Sequence, residues 1–425
     1  MTPWNNWAGN VQASPDATVQ IDSEQHLADT VAESQRPVRV RGAGHSFSPL
    51  LEVNSGSHLC LNNLNHVSAE AGAPRSARIG AGVRLHELTP QLNRMGLALD
   101  NMGDIDAQAL GGALATATHG TGQTLPCYSA MLEEMVLIDG QGQRRRLRRD
   151  LDEELFRAMA VGLGTGGILA EVVMSLVPTY RLSKRRFRIS LEELLSDFSE
   201  QMSAARHVEF FYILHSGHAL GLASDLTDQP VTDKPEDTDQ KGLLQLRQAA
   251  RLLGWAPPLR KRVLAAALRS HSSEQFVADW FQAFASDRGR IRFNETEYHL
   301  PADAAPDAIR ELIDCLERNF PEVYFPIEIR SVRADDLYLS PFYQRDSVSV
   351  AVHHEATKPF APVLAAVEPI FRRYGGRPHW GKSHTLTAGE LRSLYPRFDE
   401  AVAARRELDP KGLFNSPYIE QLLGL

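Results

Sequence analysis

The residues of this 425-residue chain whose types and spacing could do chemistry lie in three glycine-rich stretches and one charged, strand-like run. The first stretch, Arg41-Gly42-Ala43-Gly44-His45-Ser46, closes the strand-like run Val38 to Arg41. Glycines there let the backbone turn sharply and approach a ligand, so that successive N–H groups can point at a phosphate. A pyrophosphate suits such a loop, but the fingerprint for ordinary NAD binding needs a third glycine and a strand-end acid further on. Phe47 follows instead and no such acid appears, so NAD is disfavoured. Taken alone, the loop is equally a tight turn.

The second stretch runs from Gly111 to Gly122 (GGALATATHGTG) with Leu114 as its one large aliphatic residue. Such a segment cannot build a core by itself, and a flat cofactor would pack against it. Its threonine hydroxyls and amides could bond phosphate, ribose or ring edges. A close helix or sheet contact through small residues is the alternative. The third stretch, Val161 to Ile168 (VGLGTGGI), leads into an apolar, β-branched run ending at Pro178. Three such loops at strand ends point to an extended nucleotide cofactor.

In Tyr324 to Ser331 (YFPIEIRS), residues two apart share a strand face, so Glu328 and Arg330 point one way while Phe325, Ile327 and Ile329 point into the core. That sets an acid beside a base. An exposed strand face with an ordinary ion pair, worth at most about 1 kcal/mol, fits the same pattern. His353 shares the parity of Ser347, Ser349 and Ala351, whose small side chains could leave room for a substrate; a sheet histidine with satisfied partners is the alternative.

These residues need a scaffold. The first 180 residues alternate strand-like and helical patterns, with Leu85, Leu88, Leu92 and Met95 at helical spacing before Gly96. Past Pro178 the pattern predicts an antiparallel sheet with helices on one side, and a long surface loop from Asp225 to Gly242. Arg144 to Arg149, followed at once by acids, reads as a solvated turn face. The net charge of -8 gives no general attraction to nucleic acid or anionic lipid. Cys60, Cys127 and Cys315 are too scattered for a metal site and too few for a disulfide framework, so a reducing compartment and no metal are expected. No secretory leader and no apolar stretch of transmembrane length is visible, which makes cytoplasm the expected location.

The segments RPVRVRGAGHSFSPL, NMGDIDAQALGGALATATHGTG, GLGTGGILAEVVMSLVP, FPIEIR, HWGK and LDPKGLFNSPY, in this order, resemble the vanillyl-alcohol-oxidase type flavoproteins, and within them the aldonolactone and alditol oxidases. The opening NNWAGN is similar too. The resemblance implies an α+β fold: a two-part FAD-binding domain and a cap domain whose antiparallel sheet is flanked by helices. The boundaries it implies are 1–178 for the FAD domain, 179–375 for the cap, and 376–425 for a segment returning to the FAD domain. It implies FAD contacts from Arg41, Gly42, Ala43, Gly44, His45, Ser46, Phe47, Gly103, Asp104, Gly112, Ala113, Thr116, Thr118, His119, Gly120, Gly122, Gly167, Ile168 and Lys382.

On the same resemblance His45 is bonded to the flavin 8α-methyl position, Glu328 and Arg330 line the substrate cavity, His353 contacts substrate, and Lys382 lies near the flavin pyrimidine end. Similar plant lactone dehydrogenases carry alanine where this chain has Gly103, and animal oxidases carry glycine, which implies access for O2 and release of H2O2. The expected activity is oxidation of a sugar lactone or polyol. A dehydrogenase passing electrons to a quinone or cytochrome is the alternative, and a nucleotide- or sugar-binding module is the non-enzymatic one.

Overall fold

The computed structural model describes residues 3–233, 239–269, 274–285 and 291–425. In the first half, β1 (Ala17–Gln20), β2 (Val38–Val40) and β3 (Ser57–Cys60) pair in parallel in the order β1-β3-β2, with α1 (Glu24–Glu33) between the first two in sequence. A second sheet joins β4 (Val67–Ala69), β5 (Ser76–Gly80), β6 (Leu132–Asp139), β7 (Arg144–Arg148) and β8 (Gly167–Ser175), all antiparallel, in the order β7-β6-β8-β5-β4. The apolar stripe Leu85, Leu88 and Leu92 is buried along α2 (Leu85–Arg94), and Gly96, at φ +74°, takes the left-handed conformation that lets the chain reverse. The second glycine stretch begins as the short helix α3 (Leu110–Ala115).

The arginine-rich stretch is an edge strand, β7, rather than a turn. Hydrogen bonding to β6 extends it, and its cations pair with carboxylates: Arg145 with Asp139 at 2.8 Å and Arg146 with Glu134 at 2.6 Å.

Eight antiparallel strands build the second half: β9 (Arg181–Ser190), β10 (His207–Ile213), β11 (His218–Thr227), β12 (Glu274–Asp279), β13 (Phe293–Pro301), β14 (Ile327–Val332), β15 (Ser347–Glu355) and β16 (Arg377–Pro378). Their order is β12-β9-β11-β10-β14-β15-β13-β16. The expected surface loop is shorter than 225–242, because β11 continues through Thr227 and the helix α4 (Asp239–Leu253) starts at its far end; residues 234–238 lie outside the described residues. Helix α5 (Pro257–Arg269) packs against α4.

One sheet face carries Val208, Phe210, Tyr212, Tyr298, Ile327, Ile329, Val348 and Val350 and is covered by α6 (Ala305–Asn319) and α7 (Ala361–Arg373). Tyr298 stacks on Phe371 of α7 at 4.9 Å, and the Tyr212 hydroxyl donates to Glu317 of α6 at 2.8 Å. The opposite face is buried as well, yet its residues are ionisable, and it meets the first half of the chain.

The C-terminal residues pack back on the first half: Leu413 and Phe414 share a core cluster with Ile21, Leu59 and Ile138, and α8 (Phe398–Leu408) lies against Glu153–Met159. Among the described residues no helix is long and apolar enough to cross a membrane.

Candidate active site

A cleft with about 1230 Å³ of empty space, part of it open to solvent, runs between the glycine loops. Residues 39–46 form one wall, Ala81, Gly82, Gln108, Ala109, Gly111, Gly112, Ala115 and Thr116 another, and Leu50, Leu51, Leu61, Asn62, Leu132, Met135, Leu137, Met159, Ala160, Gly162–Gly164 and Gly167–Leu169 complete the lining. From the expected cofactor contacts, Arg41, Gly42, Ala43, Gly44, His45, Ser46, Gly112, Thr116, Gly167 and Ile168 line it.

The other expected contacts lie outside that lining. Ala113 is fully buried in the core, and Thr118 and His119 are buried beyond the cavity wall. Gly120 has no room for a side chain, since a Cβ there would stand 2.2 Å from the Met102 carbonyl oxygen. Gly122 sits at φ +146° and bonds Ser331. A Cβ on Gly103 would come 2.8 Å from the His119 carbonyl oxygen, so packing alone already requires glycine there. Phe47, Asp104 and Lys382 belong to the neighbouring charged cluster or its rim.

The cavity fits FAD on its own chemistry. Arg39 and Arg41 line it and, among the described residues, no carboxylate does, which suits a diphosphate. Apolar Leu132, Met135, Leu137 and Ile168 suit flat rings. Gly112 is open toward the cavity, with nothing within 4 Å of where its Cβ would be, while Gly42 and Gly111 press against Ala109 and Ala81.

Two buried arginines hold the loops around this space. Arg39 donates to the carbonyls of Leu50, Leu163, Gly164 and Phe414, tying the first loop, the third loop and the C-terminal tail together. Arg405 donates to Ala158, Val161 and Thr165 from α8. Among the described residues neither has a carboxylate partner, and burial pulls their pKa down to about 10 and about 9. Arg39 lies in the RPVRVRG segment, but three of its four carbonyl partners are 124 residues or more away, so its role is invisible locally.

Two chain segments join the cavity to the polar face of the eight-stranded sheet. The loop bearing His45 is fixed by the Phe47 N–H donating to the Gly381 carbonyl at 2.7 Å, by Ser48 donating to Trp380, and by His45 stacking on Trp7 at 5.5 Å. The second glycine stretch continues from Thr116, on the cavity wall, to His119, 3.3 Å from Glu297.

On that polar face, register sets Glu328, Ala351 and Glu297 in one row, Arg330, Ser349 and His299 in the next, and pairs His353 with Glu295. Arg330 donates to Glu297 at 2.7 Å and its Nε lies 3.3 Å from Glu328. Lys382 Nζ is 2.5 Å from Glu295, 3.7 Å from Glu297 and 5.2 Å from the centre of the Phe47 ring. His353 stands 3.4 Å from Glu295. Ser349 donates to Glu297. The Glu328–Arg330 pair is therefore a buried network member and not an exposed ion pair.

The same face explains the titration of each acid. Burial would raise Glu295, but Lys382 and His353 outweigh it and hold the carboxyl down at about 2. Burial is likewise overcome at Glu297 by Arg330 and His119, which keep it ionised. At Glu328 burial wins over Arg330, and the pKa rises to about 7. Glu209, next along the row from Arg330, is pushed by burial and Asp104 up to about 8, with Lys184 Nζ 3.9 Å away. For His353 burial opposes the charge, but Glu295 prevails and the pKa is raised.

Glu295, Glu297 and Glu209 are absent from the sequence-derived site, although FNETEYHLP sets Glu295, Glu297 and His299 two apart, the same signal that singles out Glu328 and Arg330.

Residues 172–422 match the D-arabinono-1,4-lactone oxidase family, and residues 15–148 match an FAD-binding domain. The chain belongs to the D-arabinono-1,4-lactone oxidase family. It is 33% identical to an L-gulono-1,4-lactone dehydrogenase of Mycobacterium tuberculosis over the whole of both chains. It is 28% identical to an alditol oxidase of a Streptomyces species over 99% of each. A solvent-stable cholesterol oxidase has the same fold, with a TM-score of 0.82 at 18% identity, over 100% of this chain and 97% of that one. Membership makes this chain an FAD-dependent oxidoreductase, as the resemblance of its sequence segments to aldonolactone and alditol oxidases implies.

Proposed function

We propose that this protein oxidises a CH–OH group of an aldono-1,4-lactone or an alditol, with hydride passing to FAD and O2 reoxidising it to give H2O2. The observation that carries the reading is the docking of the buried Glu328–Arg330–Glu297–Lys382 network against the His45 loop of the cavity. Bound FAD supplies the hydride acceptor. Residues 41–46, Gly112, Thr116, Gly162–Gly164, Gly167 and Ile168 would hold it, and His45, on the cavity wall, is proposed to carry the covalent bond.

Glu328 is the proposed proton acceptor, because its pKa of about 7 lets it take a hydroxyl proton near neutrality. At His353 the neighbouring Glu295 favours the protonated ring against burial, which suits hydrogen-bond donation to substrate oxygen instead. Arg330 and Lys382 supply fixed positive charge for an oxygen that loses its proton and for electron density arriving on the cofactor. Ser349 and Ala351, the small middle members of the two rows, keep bulky side chains off this strand, which suits a polyhydroxylated carbon chain.

In this reading 1–178 is the FAD domain, 179–375 the substrate-covering domain and 376–425 the returning segment, supported by the bonds that Arg39 and Arg405 make across the chain. The mycobacterial relative's name favours a second reading, electron transfer to a quinone or cytochrome. Oxygen consumption measured against dye reduction, on one panel of lactones and alditols, tests the choice. Turnover with O2 supports the oxidase, and dye reduction without oxygen uptake contradicts it.

A further inference from the structure

The helical hairpin α4–α5 ends in an apolar tip that is exposed among the described residues. Trp255 is 81% exposed and Leu252 70%, with Leu259 and Val263 also exposed on the same tip. Isolated exposed aliphatics are ordinary, but a largely exposed tryptophan among exposed leucines and a valine marks an interaction surface. The indole N–H already donates to the Leu252 carbonyl at 2.9 Å, so the ring needs no water on its polar edge.

The charge around the tip identifies what it meets. Residues 240–268 include Lys241, Arg247, Arg251, Arg260, Lys261 and Arg262 and contain no Asp or Glu, in a chain whose net charge is -8. Arg260 is buried and donates to the Pro321 carbonyl, and Arg247 pairs with Glu355 at 3.2 Å; both fasten the hairpin to the body. Arg251, Lys261 and Arg262 are exposed beside the apolar residues. The inner side of the hairpin, Leu243, Leu246 and Ala250, packs on Phe293, Tyr324 and Phe325, so the tip is braced from below. A helix-turn-helix tip with cations flanking Trp and Leu has the chemistry of an interfacial anchor, in which apolar side chains enter the headgroup boundary while lysine and arginine meet anionic lipid.

We infer that the α4–α5 hairpin docks the protein on an anionic lipid surface. The overall acidity of the chain hides this local patch.

Co-sedimentation of the full-length holoenzyme with vesicles tests it, comparing phosphatidylcholine alone with phosphatidylcholine containing phosphatidylglycerol. Three cations predict binding on the order of a hundredfold tighter to the anionic vesicles, falling as salt is raised. The variant Trp255→Ser/Leu259→Ser and the variant Arg251→Glu/Lys261→Glu/Arg262→Glu should both lose vesicle binding while keeping wild-type flavin content and turnover of soluble substrate. Failure to sediment at low salt, equal binding to both vesicle types, or undiminished binding by either variant overturns the inference. So does concentration-dependent self-association that Trp255→Ser abolishes without any vesicle binding, which would assign the tip to a second copy of the chain.

Discussion

Arg330 on β14 reaches across β15 to donate a 2.7 Å hydrogen bond to Glu297 on β13. The span is open because Ser349 and Ala351, the residues between them, are small. Both partners are buried, and Glu297 also receives Ser349 and faces His119 and Lys382. Glu297 thus bears on both cations on which the proposed chemistry depends, alongside Glu328 at Arg330 and Glu295 at Lys382.

Glu297→Gln should therefore cost far more than a surface ion pair. It leaves the buried Arg330 and the half-buried Lys382 with less compensation, a change expected to destabilise the fold by about 3–5 kcal/mol. Denaturant titration of the flavin-loaded protein measures this, and a midpoint matching wild type would mean that Arg330 is compensated elsewhere.

The pH profile should report Glu328. With its pKa raised to about 7, the carboxyl is protonated below that value and cannot accept a proton. Turnover, read as kcat/KM, should then fall about tenfold per unit as pH drops below 7 and level off above it. Glu328→Gln should lower kcat/KM by roughly 10²–10⁴ and remove this acidic limb. A Gln variant that keeps the limb would assign it to another group.

Gly112 offers a test of the cavity that separates folding from cofactor binding. Alanine there meets no atom within 4 Å and replaces a helical glycine, so the flavin-free protein should gain about 0.5–1 kcal/mol. The added methyl group nevertheless projects into the cavity, so FAD retention through gel filtration should fall, and Gly112→Leu should abolish it. Full flavin content in the Leu variant would place the cofactor away from this wall.

His45→Ala tests the covalent bond. After acid precipitation, wild-type protein should keep its flavin in the pellet, whereas the Ala variant should release it to the supernatant. Release from both proteins would rule the bond out.

Much of the site was legible where function leaves a local mark. Glycines at 42, 44, 112 and 167 do line the cavity, and period-two alternation put Glu328 and Arg330 on one face. Alternation alone could not reveal that both faces of this strand are buried, because an exposed face and a face against another part of the chain have the same sequence pattern. Glu295, Glu297 and Glu209 gain their roles from strand pairing with segments distant in sequence, and Arg39 and Arg405 from carbonyls far along the chain. Those partners are fixed by topology. The arginine-rich strand was missed for a related reason: its charges suggest solvent, and only hydrogen bonding to β6 and the waiting carboxylates make it an edge strand.

Anaerobic mixing of the purified holoenzyme with a panel of aldono-1,4-lactones and alditols tests the proposed activity most directly, with flavin absorbance as the readout. Bleaching by at least one lactone or alditol, and recovery of colour on admitting O2, is the expected result. A protein purified without flavin, or flavin that no member of the panel bleaches, would contradict it.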